Sequence, residues 1–307
     1  MKCTFLYPGQ GSQSVGMGKD LLGEFPSAKA RFEEADRILG RDLSRIILEG
    51  PQEELTATQN TQPALFVVES AITDILLQKG VEPQFTAGHS LGEYSALYAA
   101  GFISFEDGLK TVAARGELMS RAGEDAPGTM AAVIGLGKEK IAEVLKNVKS
   151  GIVVPANENT PEQTVISGEV QAVNEACSLL KEAGAKRALT LPVSGAFHSP
   201  LMQKAADEFK SVLETVQFSS PRCPVIANVT AEAQTDPAAV KELLVKQLVS
   251  PVLWVDSMNT LAGLDPALCA EVGPGSVLRG LARKCAPALN VVPCDSATNI
   301  YSLLTKN

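Results

Sequence analysis

Histidine is the scarcest of the residue types that commonly carry chemistry, with only His89 and His198 among 307 residues. The six cysteines are scattered, and the nearest two, Cys285 and Cys294, are nine positions apart, so there is no CxxC metal or redox spacing. We therefore expect no metal site and interpret the cysteines as structural thiols of a reducing cytoplasm. If an imidazole does chemistry here, only these two candidates exist.

Positive charge is also in short supply: 27 Lys and Arg face 35 Asp and Glu, a formal net charge of −8. A net negative field repels phosphate backbones and anionic lipids, so we expect no nucleic acid partner. The N-terminal apolar run stops at Pro8, whereas a secretory core needs about 7–15 apolar residues and a membrane span about 20. We expect a cytoplasmic protein with no membrane partner.

Hydrophobic residues make up 45% of the chain and charged residues 20%, which is enough apolar surface to fold along the whole length. At roughly 100–200 residues per domain, the length fits two structural units or one large α/β domain with an insertion. From residue 128 the pattern becomes strands and helices in the order β-α-β-β-α-β, at 129–134, 139–148, 152–156, 164–167, 170–183 and 186–193. This order is typical of a ferredoxin-like unit and predicts an inserted small subdomain over 127–194.

The remaining ranges, 1–126 and 195–307, are then predicted to form one discontinuous α/β core. Their first β-prone run, residues 2–7, ends in the glycine-rich loop Pro8–Gln13. A dinucleotide fingerprint would need a third glycine where Ser14 stands, and Lys19 is not in a Gly-Lys-Ser/Thr context, so we do not expect a phosphate loop. A helix over 64–79 is predicted to open after Thr61-Gln62-Pro63, with the proline at its start.

The sharpest local motif is Gly88-His89-Ser90-Leu91-Gly92, which matches Gly-x-Ser-x-Gly between an extended run at 84–87 and a helical run at 91–100. In a strand-turn-helix elbow the serine lies on a strained turn, and the glycines leave space for the backbone to fold back. The following helix N-terminus places the amide of Leu91 where it can hold an oxyanion. The motif predicts Ser90 as a nucleophile, and the alternative is a chance pentapeptide in a glycine-rich turn.

A serine nucleophile needs a base, and the choice lies between His89 and His198. Adjacent residues on a turn point their side chains apart, which disfavours His89, whereas His198 follows the last strand of the predicted subdomain in a loop. An isolated histidine is more often packed or on the surface, but its scarcity and the serine elbow favour His198. An α/β-hydrolase would add an orienting Asp or Glu between Ser90 and His198, and no acid there lies in a distinctive strand-end loop.

Seven motifs, taken in order, resemble the malonyl-CoA:acyl carrier protein transacylase family of type II fatty acid synthesis. They are residues Tyr7–Gln13, Thr61–Ala64, Gly88–Tyr94, Ala114–Gly116, Gly195–Ser199, Gln247–Trp254 and Glu271–Gly275. Each is weak alone, but seven in order over nearly the whole chain are specific. The resemblance implies an α/β fold with an α/β-hydrolase-like core and an inserted ferredoxin-like small subdomain.

The resemblance also implies a ping-pong transfer of malonyl from malonyl-CoA to the phosphopantetheine thiol of holo acyl carrier protein. Ser90 would carry the malonyl ester and His198 would act as the base. The backbone amides of Gln10 and Leu91 would form the oxyanion hole, and the main-chain carbonyl of Gln247, rather than an acid, would orient His198. No permanently bound cofactor is implied, and we expect a monomer.

Four further residues match substrate-binding positions of the family. Arg115 would bind the malonyl carboxylate, for which a planar guanidinium is suited, although without the resemblance a helix-surface arginine is the default interpretation. Gln62 and Asn159 match pocket-lining positions, but buried amides are often structural. Phe197 resembles the malonyl-type rather than the methylmalonyl-type signature, and a packed core phenylalanine would look the same.

Three other functions share some of these motifs. A serine esterase or thioesterase has the same chemistry as far as the acyl-enzyme, and a discrete acyltransferase of a polyketide pathway shares every motif. A catalytically silent docking module is disfavoured by the joint presence of Ser90, His198 and Arg115. Two basic clusters are candidate surfaces for an acidic carrier protein, with a solvated face as the alternative: Lys186 with Arg187, and Arg279, Arg283 and Lys284 at helical spacing.

Overall fold

The computed structural model describes residues 1–193 and 195–306 and contains two β-sheets. The strands are β1 (Lys2–Tyr7), β2 (Glu82–Gly88), β3 (Gly128–Ile134), β4 (Val153–Thr160), β5 (Gln163–Glu169), β6 (Arg187–Thr190), β7 (Val225–Ile226), β8 (Ala233–Gln234), β9 (Cys269–Val272) and β10 (Val291–Cys294). The helices are α1 (Lys19–Glu24), α2 (Pro26–Leu39), α3 (Leu43–Glu49), α4 (Gln52–Thr56), α5 (Thr58–Gln78), α6 (Gly92–Ala100), α7 (Phe105–Asp125), α8 (Lys138–Leu145), α9 (Val170–Glu182), α10 (Gln203–Glu214), α11 (Pro237–Gln247), α12 (Trp254–Gly263), α13 (Val277–Cys285) and α14 (Ala297–Leu304).

The larger sheet has the strand order β10-β9-β1-β2-β7-β8, and its pairs are parallel apart from β7 with β8. Parallel strands bring their carboxyl ends to one edge, which is where α/β sheets place their sites. Tyr7 at the end of β1 lies beside Gly88 at the end of β2. The glycine-rich loop and the Gly-x-Ser-x-Gly motif therefore leave the sheet next to each other.

The smaller sheet is antiparallel, with the order β4-β5-β3-β6, and its strands and helices follow the predicted chain order β-α-β-β-α-β. A separate apolar cluster packs α8 and α9 against it. The predicted last strand over 186–193 is too long, since β6 ends at Thr190. Pro192 lacks the N–H that a further ladder bond would need, which explains the early end.

The prediction that a helix opens after Pro63 is wrong, because α5 begins at Thr58 and contains Pro63 in its second turn. A proline inside a helix leaves the carbonyl four residues earlier, here that of Gln59, without its helical donor. Nη2 of Arg41 donates to that carbonyl at 3.2 Å and replaces the missing bond. This tertiary contact therefore offsets the part of the proline penalty that comes from the lost hydrogen bond.

The two sheets are joined through the segment that follows α11. The amide of Val252 donates to the carbonyl of Ala156 at 2.8 Å, and the carbonyl of Val252 accepts from the amide of Glu158 at 2.9 Å. The smaller sheet is thus fixed beside the carboxyl edge of the larger one. Among the described helices, none combines the length and apolar character needed to span a bilayer.

Candidate active site

The Gly-x-Ser-x-Gly motif forms a tight turn between β2 and α6, with Ser90 in the left-handed region at φ 51°. A Cβ on Gly88 would lie 1.9 Å from the carbonyl group of Gly92, and one on Gly92 would lie 2.2 Å from the carbonyl oxygen of Tyr7. Only glycine fits at either position. The turn therefore holds a non-glycine residue in a strained conformation, as a nucleophile elbow does.

Asn228, just after β7, holds this turn from the neighbouring strand. Its Oδ1 accepts the amide of Ser90 at 2.7 Å, and its Nδ2 donates to the carbonyl of Gly88 at 2.6 Å. The two bonds offset part of the cost of the left-handed backbone. Asn228 was not predicted from the sequence, and the available signal was a polar side chain directly after the short apolar run that includes β7.

His198 is the histidine that reaches the serine: the Ser90 hydroxyl lies 2.8 Å from its Nε2. Its other nitrogen, Nδ1, lies 2.8 Å from the main-chain carbonyl oxygen of Gln247. Because a carbonyl can only accept, Nδ1 carries the proton and Nε2 is left to accept one. Burial, followed by the charge of Arg115, lowers the pKa of His198 to about 3, so the ring is neutral and can act as a base.

His89 faces away from the serine hydroxyl. Its Nε2 lies 2.8 Å from Oδ1 of Asn159, and its ring packs 5.3 Å from that of Trp254. Burial lowers the pKa of His89 as well. The structure thus brings Ser90 and His198 into hydrogen-bonding distance, and it places the side chain of Asn159 within hydrogen-bonding distance of His89 instead.

Arg115, on α7, is buried with 1% of its surface exposed, so the default interpretation of a helix-surface arginine is wrong. Its Nη1 donates to Oε1 of Gln62 at 2.9 Å, and its Nη2 donates to Oε1 of Gln247 at 2.9 Å. Nη2 also lies 3.2 Å from the Ser90 hydroxyl, and Nε has no partner among the described residues. A buried cation whose contacts are neutral oxygens is poised to receive an anion beside Ser90.

Gly116 lets α7 pack closely enough against α5 to bury Arg115. A Cβ on Gly116 would meet the carbonyl oxygen of Thr58 at 2.9 Å and Cα of Gln59 at 3.0 Å, so α7 lies directly against the start of α5. That close approach carries Arg115 toward Gln62 on α5. Two signals for burial were available: the neighbouring glycine, and the periodicity of α7, which places Arg115 on the same face as Val112 and Met119.

Gln10 and Leu91 lie beside Ser90 on the wall of the same cavity. Within the described residues, the N–H groups of Gln10 and Leu91 have no protein acceptor. A Cβ on Gly9 would lie 2.4 Å from the carbonyl oxygen of His89, so glycine there lets the loop approach the elbow. Two free amides next to a serine hydroxyl can stabilise an oxyanion.

The cavity over Ser90 has a volume of about 120 Å³ and is mostly apolar. Its apolar side chains come from elements around both sheets: Leu91, Met119, Met130, Leu191, Val193 and Phe197. Asn157 of β4 lines the cavity, whereas Asn159 lies in the adjoining cleft with Gln10 and His89. Gln62 and Gln247 do not line this cavity. Their side-chain oxygens accept hydrogen bonds from the guanidinium of Arg115. Asn157 was not predicted from the sequence, although it lies two residues from Asn159 in the same strand.

Among residues 1–193 and 195–306, no group of three or more His, Cys, Asp or Glu side chains could hold a metal ion. The chemistry that the described groups themselves support is nucleophilic. A serine hydroxyl, a neutral imidazole with a fixed tautomer and two free amides are the parts needed for acyl transfer through an ester.

A family model described as "Acyl transferase domain" matches residues 4–300. A curated relative from Bacillus subtilis, named malonyl CoA-acyl carrier protein transacylase, is 47% identical over 301 residues, covering 97% of this chain and 95% of its own. A similarly named relative from Haemophilus influenzae is 43% identical and covers 98% of each chain.

The similar solved structures have names that match those of the curated relatives. An acyl carrier protein S-malonyltransferase from Vibrio cholerae matches with a TM-score of 0.95 at 42% identity, covering 99% of this chain and 100% of that one. A malonyl-transacylase solved in complex with a type II PKS acyl-carrier protein matches with a TM-score of 0.96 at 40% identity, covering both chains fully. The whole fold is therefore shared with proteins of one named activity.

Proposed function

The chain belongs to the acyl transferase family, among its malonyl CoA-acyl carrier protein transacylases, and from that membership we propose its reaction. It is an enzyme that transfers a malonyl group from malonyl-CoA to the phosphopantetheine thiol of holo acyl carrier protein, in fatty acid synthesis. The observation that carries the proposal is the buried guanidinium of Arg115, with neutral partners, 3.2 Å from the Ser90 hydroxyl. An anionic acyl group is what such a cation would select.

In the first half-reaction, Oγ of Ser90 attacks the thioester carbonyl of malonyl-CoA as Nε2 of His198 takes the hydroxyl proton. The amides of Gln10 and Leu91 receive the oxyanion of the tetrahedral intermediate. The intermediate then collapses, the carbon–sulfur bond breaks, and the imidazolium returns its proton to the leaving CoA thiolate. A malonyl ester remains on Ser90 with His198 neutral again.

In the second half-reaction, the carrier protein's thiol replaces CoA in the site. His198 takes the thiol proton while the sulfur attacks the ester carbonyl, and the same two amides hold the oxyanion. Collapse releases the malonyl thioester and returns the proton from His198 to Oγ of Ser90. The carbonyl of Gln247 holds Nδ1 throughout, so the base keeps one orientation in both halves.

We propose that acyl selection comes from three kinds of contact. Arg115 pairs with the malonyl carboxylate while Gln62 and Gln247 fix its guanidinium. Phe197 limits the room beside His198, and Asn159 acts from the adjoining cleft through His89. A charge-assisted pair contributes about 1.5–3 kcal/mol, which is at least tenfold in discrimination against neutral acyl groups.

We also propose a description of the architecture. Residues 1–126 and 195–307 would form an α/β-hydrolase-like core and residues 127–194 a ferredoxin-like subdomain, as the strand order β4-β5-β3-β6 supports. Residues 194 and 307, at the ends of these ranges, lie outside those described. The monomeric state, the cytoplasmic location and the lack of a permanent cofactor stay predictions.

A transfer assay tests the proposed function. The enzyme is mixed with malonyl-CoA and holo acyl carrier protein, and the carrier is weighed by intact-mass analysis against a control with apo carrier, which has no thiol. We expect malonyl on the holo carrier only, formed much faster than free malonate. Rapid release of malonate with no malonyl-carrier would instead assign the chain as a thioesterase, and equal behaviour with both carriers would exclude transfer to the thiol.

A further inference from the structure

Gln247 contacts both the base and the cation of the site. Its main-chain oxygen accepts from Nδ1 of His198, and its side-chain Oε1 accepts from Nη2 of Arg115 at 2.9 Å. The residue is fully buried at the end of α11. Whatever fixes the Gln247 amide therefore acts on acyl recognition and on proton transfer together.

The tightest hold on that amide comes from Glu93, in the first turn of α6 and 2% exposed. Nε2 of Gln247 donates to Oε2 of Glu93 at 2.6 Å, whereas its distances to the Ser90 carbonyl and to Oδ1 of Asn228 are 3.1 and 3.5 Å. The main-chain amide of Asn228 also donates to Oε2 of Glu93, at 3.3 Å. Because Glu93 can only accept when ionised, it keeps the amide nitrogen on its own side and Oε1 toward Arg115.

Charge adds a second effect. The described contacts of Arg115 are neutral, and Glu93 lies just across the Gln247 amide from it. A carboxylate there offsets part of the guanidinium charge before the acyl group binds. It also offsets the repulsion between Arg115 and the imidazolium that His198 becomes during each proton transfer.

We propose that Glu93 is a positioning residue that acts through Gln247, moderating the attraction of Arg115 for the malonyl carboxylate and strengthening His198 as a base. The inference rests on the proposed function and assigns Glu93 no contact with substrate.

Burial raises the pKa of Glu93 to about 7, against the lowering effects of Gln247, Asn228 and Arg115. Tyr94, on the same helix, is also within reach of the Glu93 charge, whereas His198 contacts the main-chain oxygen of Gln247. The full charge is therefore present above neutral pH.

The test measures acyl loading at pH 8.5 with malonyl-CoA and with acetyl-CoA, comparing wild type with Glu93→Gln. The variant keeps an oxygen for Gln247 but removes the charge. For malonyl-CoA we expect the half-saturating concentration and the maximal rate both to fall several-fold. For acetyl-CoA only the rate should fall, since a neutral acyl group does not sense Arg115. Mere structural damage would raise the half-saturating concentrations instead.

Two variants provide controls. Glu93→Asp keeps the charge and should restore the malonyl half-saturating concentration. Glu69→Gln makes the same change at a buried glutamate of α5 that is hydrogen-bonded to Ser95 rather than to Gln247, and it should behave as wild type. Should Glu93→Gln not fold, wild type taken from pH 8.5 to 6 should show the same loss of rate with tighter malonyl binding.

The outcomes separate the two proposals. Wild type that forms no malonyl adduct contradicts the proposed function itself. Wild type that loads, together with a Glu93→Gln variant whose constants match it or rise equally for both acyl groups, overturns only the role of Glu93. A half-saturating concentration that falls for malonyl-CoA but not for acetyl-CoA, with the maximal rate lowered for both, supports that role.

Discussion

The elbow around Ser90 and the pocket around Arg115 meet at one hydroxyl but are built in opposite ways. The elbow is contiguous, and its glycines at 88 and 92 touch backbone of β1 and of the turn itself. The pocket is assembled from α5, α7 and α11, whose residues Gln62, Arg115 and Gln247 are far apart in sequence. This difference suggests that the elbow supplies reactivity toward any acyl group and the pocket supplies the choice of acyl group.

The largest effect should come from removing the base that serves the elbow. His198→Ala is expected to slow both half-reactions by roughly 10²–10⁴-fold for malonyl and acetyl alike, the usual contribution of a general base. His89→Ala is the matched control, because its ring faces Asn159 rather than Ser90. Stopped-flow loading rates check this, and equal losses at the two histidines would contradict the assignment.

Removing the cation should instead change selectivity. Arg115→Ala is expected to slow malonyl transfer at least tenfold, from the loss of a charge-assisted pair of about 1.5–3 kcal/mol. Acetyl transfer should hold or rise, because a neutral acyl group loses no partner. Competition between the two acyl-CoAs measures the ratio. Parallel loss of both activities would make Arg115 a structural residue.

Two glycine substitutions compare the regions with the same added methyl group. In Gly92→Ala the Cβ would lie 2.2 Å from backbone, so we expect unfolding free energy lower by about 1–3 kcal/mol and slower transfer of malonyl and acetyl alike. In Gly116→Ala the nearest atoms are at 2.9 Å, so α7 can shift and carry Arg115 with it. That variant should lose malonyl preference several-fold while keeping acetyl loading. Denaturant unfolding and both loading rates check this, and identical profiles would remove the distinction.

The two regions also differ in how far the sequence predicts them. The Gly-x-Ser-x-Gly motif and its flanks predicted the elbow, because its geometry depends on adjacent residues. Asn228, Glu93 and Asn157 were not predicted, since their roles arise only when distant elements pack. Arg115 was predicted in part. Its role as the carboxylate-binding residue was implied by the family resemblance, whereas its burial, which depends on Gly116 and the approach of α5, was not predicted. The order of strands and helices in the smaller sheet was predicted because, like the elbow, it follows from local sequence patterns. The end of β6 at Thr190 was not predicted.

The smallest effect concerns encounter with the carrier protein. Lys186 directly precedes β6 and Arg187 is its first residue, and the chain after β6 continues to Leu191 and Val193 on the cavity wall. Lys186 forms an exposed ion pair with Glu162 at 3.8 Å. Charge reversal at both should raise KM for the carrier a few-fold and weaken its salt dependence, with malonyl loading from CoA unchanged. Reversal of Lys29 on α2, an equally exposed lysine, is the control. Unaltered carrier kinetics at low salt would point to another face.

The central claim, that Ser90 carries the malonyl group, is tested most directly by locating the ester. Enzyme mixed with malonyl-CoA is quenched in acid, digested and mapped by mass spectrometry, with Ser90→Ala in parallel. We predict one malonyl group on the peptide containing Ser90, lost when holo acyl carrier protein is added before the quench, and none on the variant. A malonyl group on another residue, or an adduct that persists in Ser90→Ala, would contradict the account.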